Sequence, residues 1–237
     1  MKIGIIGAGA IGGTLARQLV NLGHRVSIAS SRGPDTLREL AAQVGADAVT
    51  ARESARAGDL VILSIPQKAV PTLAKDLFDG VPASVPVVDT GNYYPKLRDG
   101  RIEALESGMV ESLWVAAHLG RPVVKAFNNL YAKSLREKGA PRGTPGRIAL
   151  SVAGDAAEAR SVVLGLVDQL GFDPVDAGSL DESWRQQPGT PAYCRDLDAV
   201  SLKRALTEAE RGRLAEYRHE QEEYVAKLIA GGFDTSS

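Results

Sequence analysis

Lys2-Ile3-Gly4-Ile5-Ile6-Gly7-Ala8-Gly9-Ala10-Ile11-Gly12 decides how the rest of this chain reads. Its first five residues form a near-continuous apolar run, as in a strand buried on both faces of a sheet. The next six spell Gly-x-Gly-x-x-Gly, and Ile11, Leu15, Leu19 and Leu22 then recur at helical spacing. A glycine turn between a buried strand and a helix is the context in which this motif receives a dinucleotide. Gly7 permits the tight turn, Gly9 leaves room for a pyrophosphate to approach the backbone, and Gly12 lets helix and strand close on each other. The helix opening at Ala10 and Ile11 offers free N–H groups and a partial positive charge to the phosphates.

Outward from this unit the alternation continues. Apolar runs at 25–29, near 48–49, and at 59–65, 85–89, 121–127, 147–152 and 172–175 read as strands. Helical patterns fall at 36–44, near 53–56, and at 70–78, 131–138 and 155–170, the last with Asp155 as its cap. Such repetition predicts an α/β fold: a Rossmann-type doubly wound, mostly parallel sheet with helices on both faces, and a C-terminal helical extension. Residues 1–182 form the nucleotide-binding unit in this reading, and 183–237 an irregular segment followed by helices. Thr207-Glu208-Ala209-Glu210 reads as a capping box. The helix it would open carries Leu214, Tyr217, Tyr224, Val225, Leu228 and Ile229 on one side and stops at Gly231-Gly232. That stripe predicts packing on the domain itself, closure over the site, or a homodimer through the C-terminal helix.

Composition bounds the function. The 237 residues are 44% hydrophobic and 24% charged, as expected of a globular protein with a sizeable core. Lys and Arg number 28 against 29 Asp and Glu, a net charge of −1, which argues against nucleic acid as a partner. No apolar run approaches the ~20 residues of a membrane helix, and the N-terminus does not read as a signal peptide, so no membrane partner and a cytoplasmic location are expected. The single cysteine, Cys194, excludes an internal disulfide and any cysteine-cluster metal site.

Cofactor choice is read at the end of the second strand. An NAD site places an acid there, about 20 residues past the glycines, to hold the ribose 2′-OH. This chain has Ala29-Ser30-Ser31-Arg32-Gly33, with no acid before Asp35. Two hydroxyls and a guanidinium suit a 2′-phosphate, which favours NADP(H). Three later strand ends carry polar residues over one crevice: Ser64-Ile65-Pro66-Gln67, Asp89-Thr90-Gly91-Asn92 and Lys125-Ala126-Phe127-Asn128. The nicotinamide and a small-molecule substrate are expected there. Acid–base candidates are few. His24, His118 and His219 fall away from the crevice, and Cys194 has no partner that would activate it.

The combination of Gly7-Ala8-Gly9-Ala10-Ile11-Gly12, Ser30-Ser31-Arg32, Ser64-Ile65-Pro66, Lys125-Ala126-Phe127-Asn128, and Gly154-Asp155 followed by Asp176-Ala177-Gly178 resembles the family of NADPH-dependent reductases of coenzyme F-420, an 8-hydroxy-5-deazaflavin. It is similar also to the cytoplasmic oxidoreductase domain of the six-transmembrane metalloreductases. The resemblance spans roughly residues 1–182. It implies NADP(H), with Ser31 and Arg32 on the 2′-phosphate and with 64–66 and 125–128 bordering the nicotinamide. It also implies hydride exchange with a flavin, deazaflavin or similar acceptor. A hydride passed between stacked rings needs alignment more than a protein acid. Trp184 to Pro191 and the helix after Thr207 lie outside the family pattern. Two other functions fit the same residues. One is an imine or carbonyl reductase related to pyrroline-carboxylate reductases, with Tyr93, Tyr94, Lys125 or Tyr193 as proton donor. The other is a non-catalytic NADP(H) sensor.

Overall fold

A computed structural model describes residues 1–56 and 58–231. Six strands, β1 (Lys2–Ile6), β2 (Arg25–Ala29), β3 (Asp47–Ala48), β4 (Leu60–Leu63), β5 (Val87–Asp89) and β6 (Val124–Lys125), form one sheet in the order β3-β2-β1-β4-β5-β6. Every pairing in it is parallel, with Ile5 opposite Ile28 on one side and Ile62 on the other. Two further parallel strands, β7 (Ala149–Val152) and β8 (Asp173–Asp176), join its edge through an antiparallel bridge between Lys125 and Ala153. The strand order reverses between β1 and β4, which opens a crevice above their carboxyl ends. This is the doubly wound Rossmann architecture the sequence predicts.

Alternating side chains explain the layers. Ile3, Ile5, Leu60, Ile62 and Val88 bury on one face with Leu15 and Leu19 of helix α1 (Ala10–Asn21). Val61, Leu63 and Val87 bury on the other. Helices α2 (Arg38–Val44) and α3 (Ala51–Ala55) follow, the latter opened by a Thr50–Glu53 capping box. A single π-helical turn spans Pro95–Asp99, and α4 (Glu103–Glu106) and α5 (Glu111–Leu119) come after it. Trp114 and Val115 of α5 cover the second face. Next come α6 (Ala132–Glu137) and α7 (Ala157–Gln169), then α8 (Ala199–Glu208), whose Leu202, Ala205 and Leu206 pack on Ala149 and Val175. Helix α9 (Leu214–Ala230) closes the described chain. Among the described residues no helix is long and apolar enough to cross a membrane.

Five expectations change. The helix expected at 70–78 is a 3₁₀ turn, Gln67–Thr72, because Pro71 inside it has no N–H to donate. Only Val124–Lys125 of the 121–127 run pairs as strand, since the chain turns at Phe127. Asp155 does not cap α7; its carboxylate accepts from the Leu180 N–H at 2.9 Å. Thr207 opens no helix. It lies near the end of α8 and donates back to the carbonyls of Lys203 and Arg204, while Asp198 is the cap that starts that helix. The apolar stripe of α9 also divides. Tyr217 is buried on this chain's own Gly189 segment, and Tyr224 and Ile229 are exposed. Gly232, the second half of the expected stop, lies outside the described residues.

Candidate dinucleotide and acceptor site

Steric detail separates the roles of the motif's three glycines. Gly7 has φ 114°, and a Cβ there would lie 2.0 Å from the Ser64 carbonyl oxygen, at the seam between β1 and β4. A Cβ on Gly12 would lie 2.0 Å from the Gly7 carbonyl oxygen. Gly9 is different: its backbone is extended, with φ −73° and ψ −169°, and nothing comes within 4 Å of where its Cβ would stand. The first intrahelical bond of α1 runs from the Gly13 N–H to the Gly9 carbonyl, so the N–H groups of Ala10, Ile11 and Gly12 precede it. An open face above unspent donors at a helix N-terminus is what a pyrophosphate requires.

At the end of β2, Ser31 and Arg32 are exposed and Ser30 is half-buried. The Ser30 hydroxyl is 3.3 Å from that of Thr36, which donates to the Gly33 carbonyl. Among the described residues Arg32 makes no side-chain hydrogen bond or ion pair, whereas neighbouring Arg38 is held by Asp35 at 2.6 Å. Arg32 is therefore the uncommitted guanidinium at this corner.

Across the crevice the ladder carries each strand end upward: Ser64 N–H to Ile6 O, Thr90 N–H to Leu63 O and Ala126 N–H to Asp89 O. Ser64, Ile65, Pro66 and Asn92 are half-buried on the rim. Phe127 adopts φ 60°, a left-handed conformation rare for a bulky residue, and this turn accompanies the placement of Asn128 beside Asn92. The Asn128 amide donates to Asn92 Oδ1 at 3.1 Å and to the Gln186 carbonyl at 2.7 Å. Gln186 Nε2 donates back to Asn128 Oδ1 at 2.9 Å. Gln186 belongs to the 3₁₀ turn Asp181–Gln186, whose start is pinned by the Asp155–Leu180 bond. Thus the Gly154-Asp155…Asp176-Ala177-Gly178 motif is a pair of interlocked turns that delivers Gln186 to the crevice. Sequence reasoning misses Gln186, since no local pattern marks a contact across 58 residues.

The structure does not place the side chains of Lys125 and Ala126 on the open rim. Both residues are wholly buried. Lys125 Nζ donates to Asp89 Oδ2 at 3.0 Å and to the Gly91 carbonyl. The Asp89 carboxylate also accepts from Ser112 Oγ at 2.7 Å and from the Gly91 N–H at 2.8 Å. This sealed pair braces the rim from below. Beside it, burial pushes the Glu111 carboxyl up to about 7 against the opposing pull of Lys125 and Arg218, and its Oε2 accepts from the Tyr93 N–H. Tyr94 and Tyr193 pair through their hydroxyls at 2.6 Å, and burial raises both phenols. The Cys194 thiol is pushed up as well by burial, consistent with an inert thiol.

Residues 2–93 match the family described as NADP oxidoreductase, coenzyme F420-dependent. Two curated relatives align: YjhV of Escherichia coli K12, 46% identical over 92 residues, and the metalloreductase STEAP3 of Rattus norvegicus, 27% identical over 202 residues. The first alignment covers 39% of this chain and the second 85%. They span 60% and 36% of those proteins, less than two thirds of either relative's own length. The solved structure of the hypothetical protein SMa0349 from Sinorhizobium meliloti is 31% identical and superposes with a TM-score of 0.72, covering 83% of this chain and 95% of that one.

Proposed function

We propose that this chain, which belongs to the coenzyme F420-dependent NADP oxidoreductase family, binds NADP(H) along the β1–α1 turn and exchanges a hydride with a flavin, deazaflavin or similar acceptor. The observation that carries the reading is the open face over Gly9. In this reading the N–H groups of Ala10, Ile11 and Gly12 hold the pyrophosphate, and Arg32 with Ser30 and Ser31 holds the 2′-phosphate. Ser64, Ile65, Pro66 and Asn92 border the nicotinamide, while the buried Lys125, Ala126 and Asn128 contribute through the backbone and side chains they anchor. Bound there, the nicotinamide supplies the hydride chemistry.

The chain's own contribution is alignment. The amide junction of Asn92, Asn128 and Gln186 fixes the spacing between two strand ends, and the buried Asp89–Lys125 pair holds the floor beneath them. The charged groups nearest the rim are committed to partners, which suits a transfer that takes no proton from the protein. A second reading, reduction of an imine or carbonyl, rests on the Tyr94–Tyr193 hydroxyl pair beside the Asn92 segment, although burial makes both phenols weaker acids than usual.

NADPH oxidation by the purified protein against flavins, F-420 and cyclic imines tests both. Turnover with a flavin or deazaflavin supports the first reading, and turnover confined to imines supports the second. Tight NADPH binding with no turnover on any of them would leave a sensor.

A further inference from the structure

The π-helical turn Pro95–Asp99 joins both crevice rims. Its Asp99 is buried and accepts from the Lys68 N–H at 3.2 Å, just past the Ser64-Ile65-Pro66 rim. The same carboxylate accepts from the Tyr94 N–H at 2.8 Å, just past Asn92. From outside, α9 closes on this turn with two buried charged residues. Glu222 Oε1 accepts from the backbone N–H groups of Lys96 at 2.7 Å and Leu97 at 3.3 Å, the free donors at the start of the turn. Arg218 lies 4.8 Å over the Tyr93 ring and 3.4 Å from Glu106. The cost of desolvating the Glu222 carboxylate is offset by these two backbone bonds, which tie α9 directly to the turn between the rims.

We propose that Glu222 is a positioning residue: acting through the Pro95–Asp99 turn, it fixes the Asn92–Tyr94 wall against which the acceptor lies. That the wall faces an acceptor rests on the function proposed above; that Glu222 orders the wall does not. The phosphate cradle shares none of these contacts, so the effect falls on the nicotinamide and acceptor end of the crevice and not on the phosphate contacts that dominate NADPH affinity.

The test compares Glu222→Ala and Glu222→Gln in the full chain. Amide exchange at Lys96 and Leu97 should quicken about tenfold in Glu222→Ala, as expected from losing a bond to a charged acceptor. The KM for the flavin or deazaflavin should rise by a similar factor, with kcat and the NADPH Kd within about twofold of wild type. Glu222→Gln keeps an acceptor oxygen and should restore most of the exchange protection and the KM. Unchanged exchange in Glu222→Ala, or a Glu222→Gln protein as impaired as Glu222→Ala, overturns the proposal. If the wild type turns over no acceptor, the hydride-transfer reading falls, and exchange alone decides the role of Glu222.

Discussion

The glycine cradle draws its parts from consecutive residues, whereas the opposite wall gathers Asn92, Asn128 and Gln186 from three distant segments. The cradle is made of backbone: a left-handed glycine, an open Cβ position and unspent N–H donors. The wall is made of side chains held by other side chains, above a buried ion pair. A site built from backbone can be disabled by adding an atom. A site built from a network fails when one member is removed, because its partner is left buried and unsatisfied.

Substitutions at the two ends should break the molecule in different ways. Gly9→Val adds bulk where a pyrophosphate would lie. The extended backbone and empty surroundings at Gly9 accept a side chain, so the melting temperature should hold while NADPH affinity falls by more than about 100-fold. Thermal melts and fluorescence titration check this, and a folded variant with normal binding refutes the cradle. Lys125→Met should do the reverse. It leaves the Asp89 carboxylate buried without its cation, a loss of about 3–5 kcal/mol in stability by denaturant titration. Any protein that survives should keep its cradle, so residual NADPH binding per folded molecule should be near normal.

Two finer changes sharpen the contrast. Arg32→Ala removes one charge-assisted contact of about 1.5–3 kcal/mol, so NADPH binding should weaken roughly 10–100-fold while NADH binding stays. Equal loss for both cofactors would place Arg32 elsewhere than on the 2′-phosphate. Glu111 tests the wall by pH. Its folded value of about 7 lies above the ordinary 4.5, so within that window the folded chain holds a proton that the unfolded chain has lost. Its stabilising contribution is complete below the lower value and disappears as pH rises toward the upper one, with a slope of at most about 1.4 kcal/mol per pH unit. Glu111→Gln should flatten that slope in denaturant melts across the same range. A slope that persists in the variant assigns it to another group.

The contrast also explains which parts could be read from the chain. The parallel sheet and its first turn follow from apolar runs and glycine spacing within 30 residues, and the structure bears them out. The strand-end segments at 64–66, 92 and 125–128 do lie at one end of the sheet, because strands of a parallel sheet all end on the same side. What the pattern could not show is direction. Lys125 sits where a rim residue would, yet its side chain turns inward to Asp89, a partner on the neighbouring strand. The false capping box at Thr207 fails for a similar reason. Its first two residues end a helix already begun after Asp198, and local chemistry alone does not reveal which of two capping sequences the chain uses.

The bridge between Lys125 and Ala153 ties β6 to a segment synthesised after it. β6 is two residues long and draws hydrogen bonds from β5 and from the returning chain at Ala153. The turn at Gly7, seated against Ser64, needs nothing beyond β4. The strands that seat the Gly7 turn leave the ribosome before Ala153 and Gln186, the partners of Lys125 and Asn128. A nascent chain emerging from the ribosome can therefore form its glycine turn early. The wall of Asn92, Asn128 and Gln186 must wait until the carboxyl-terminal segments arrive.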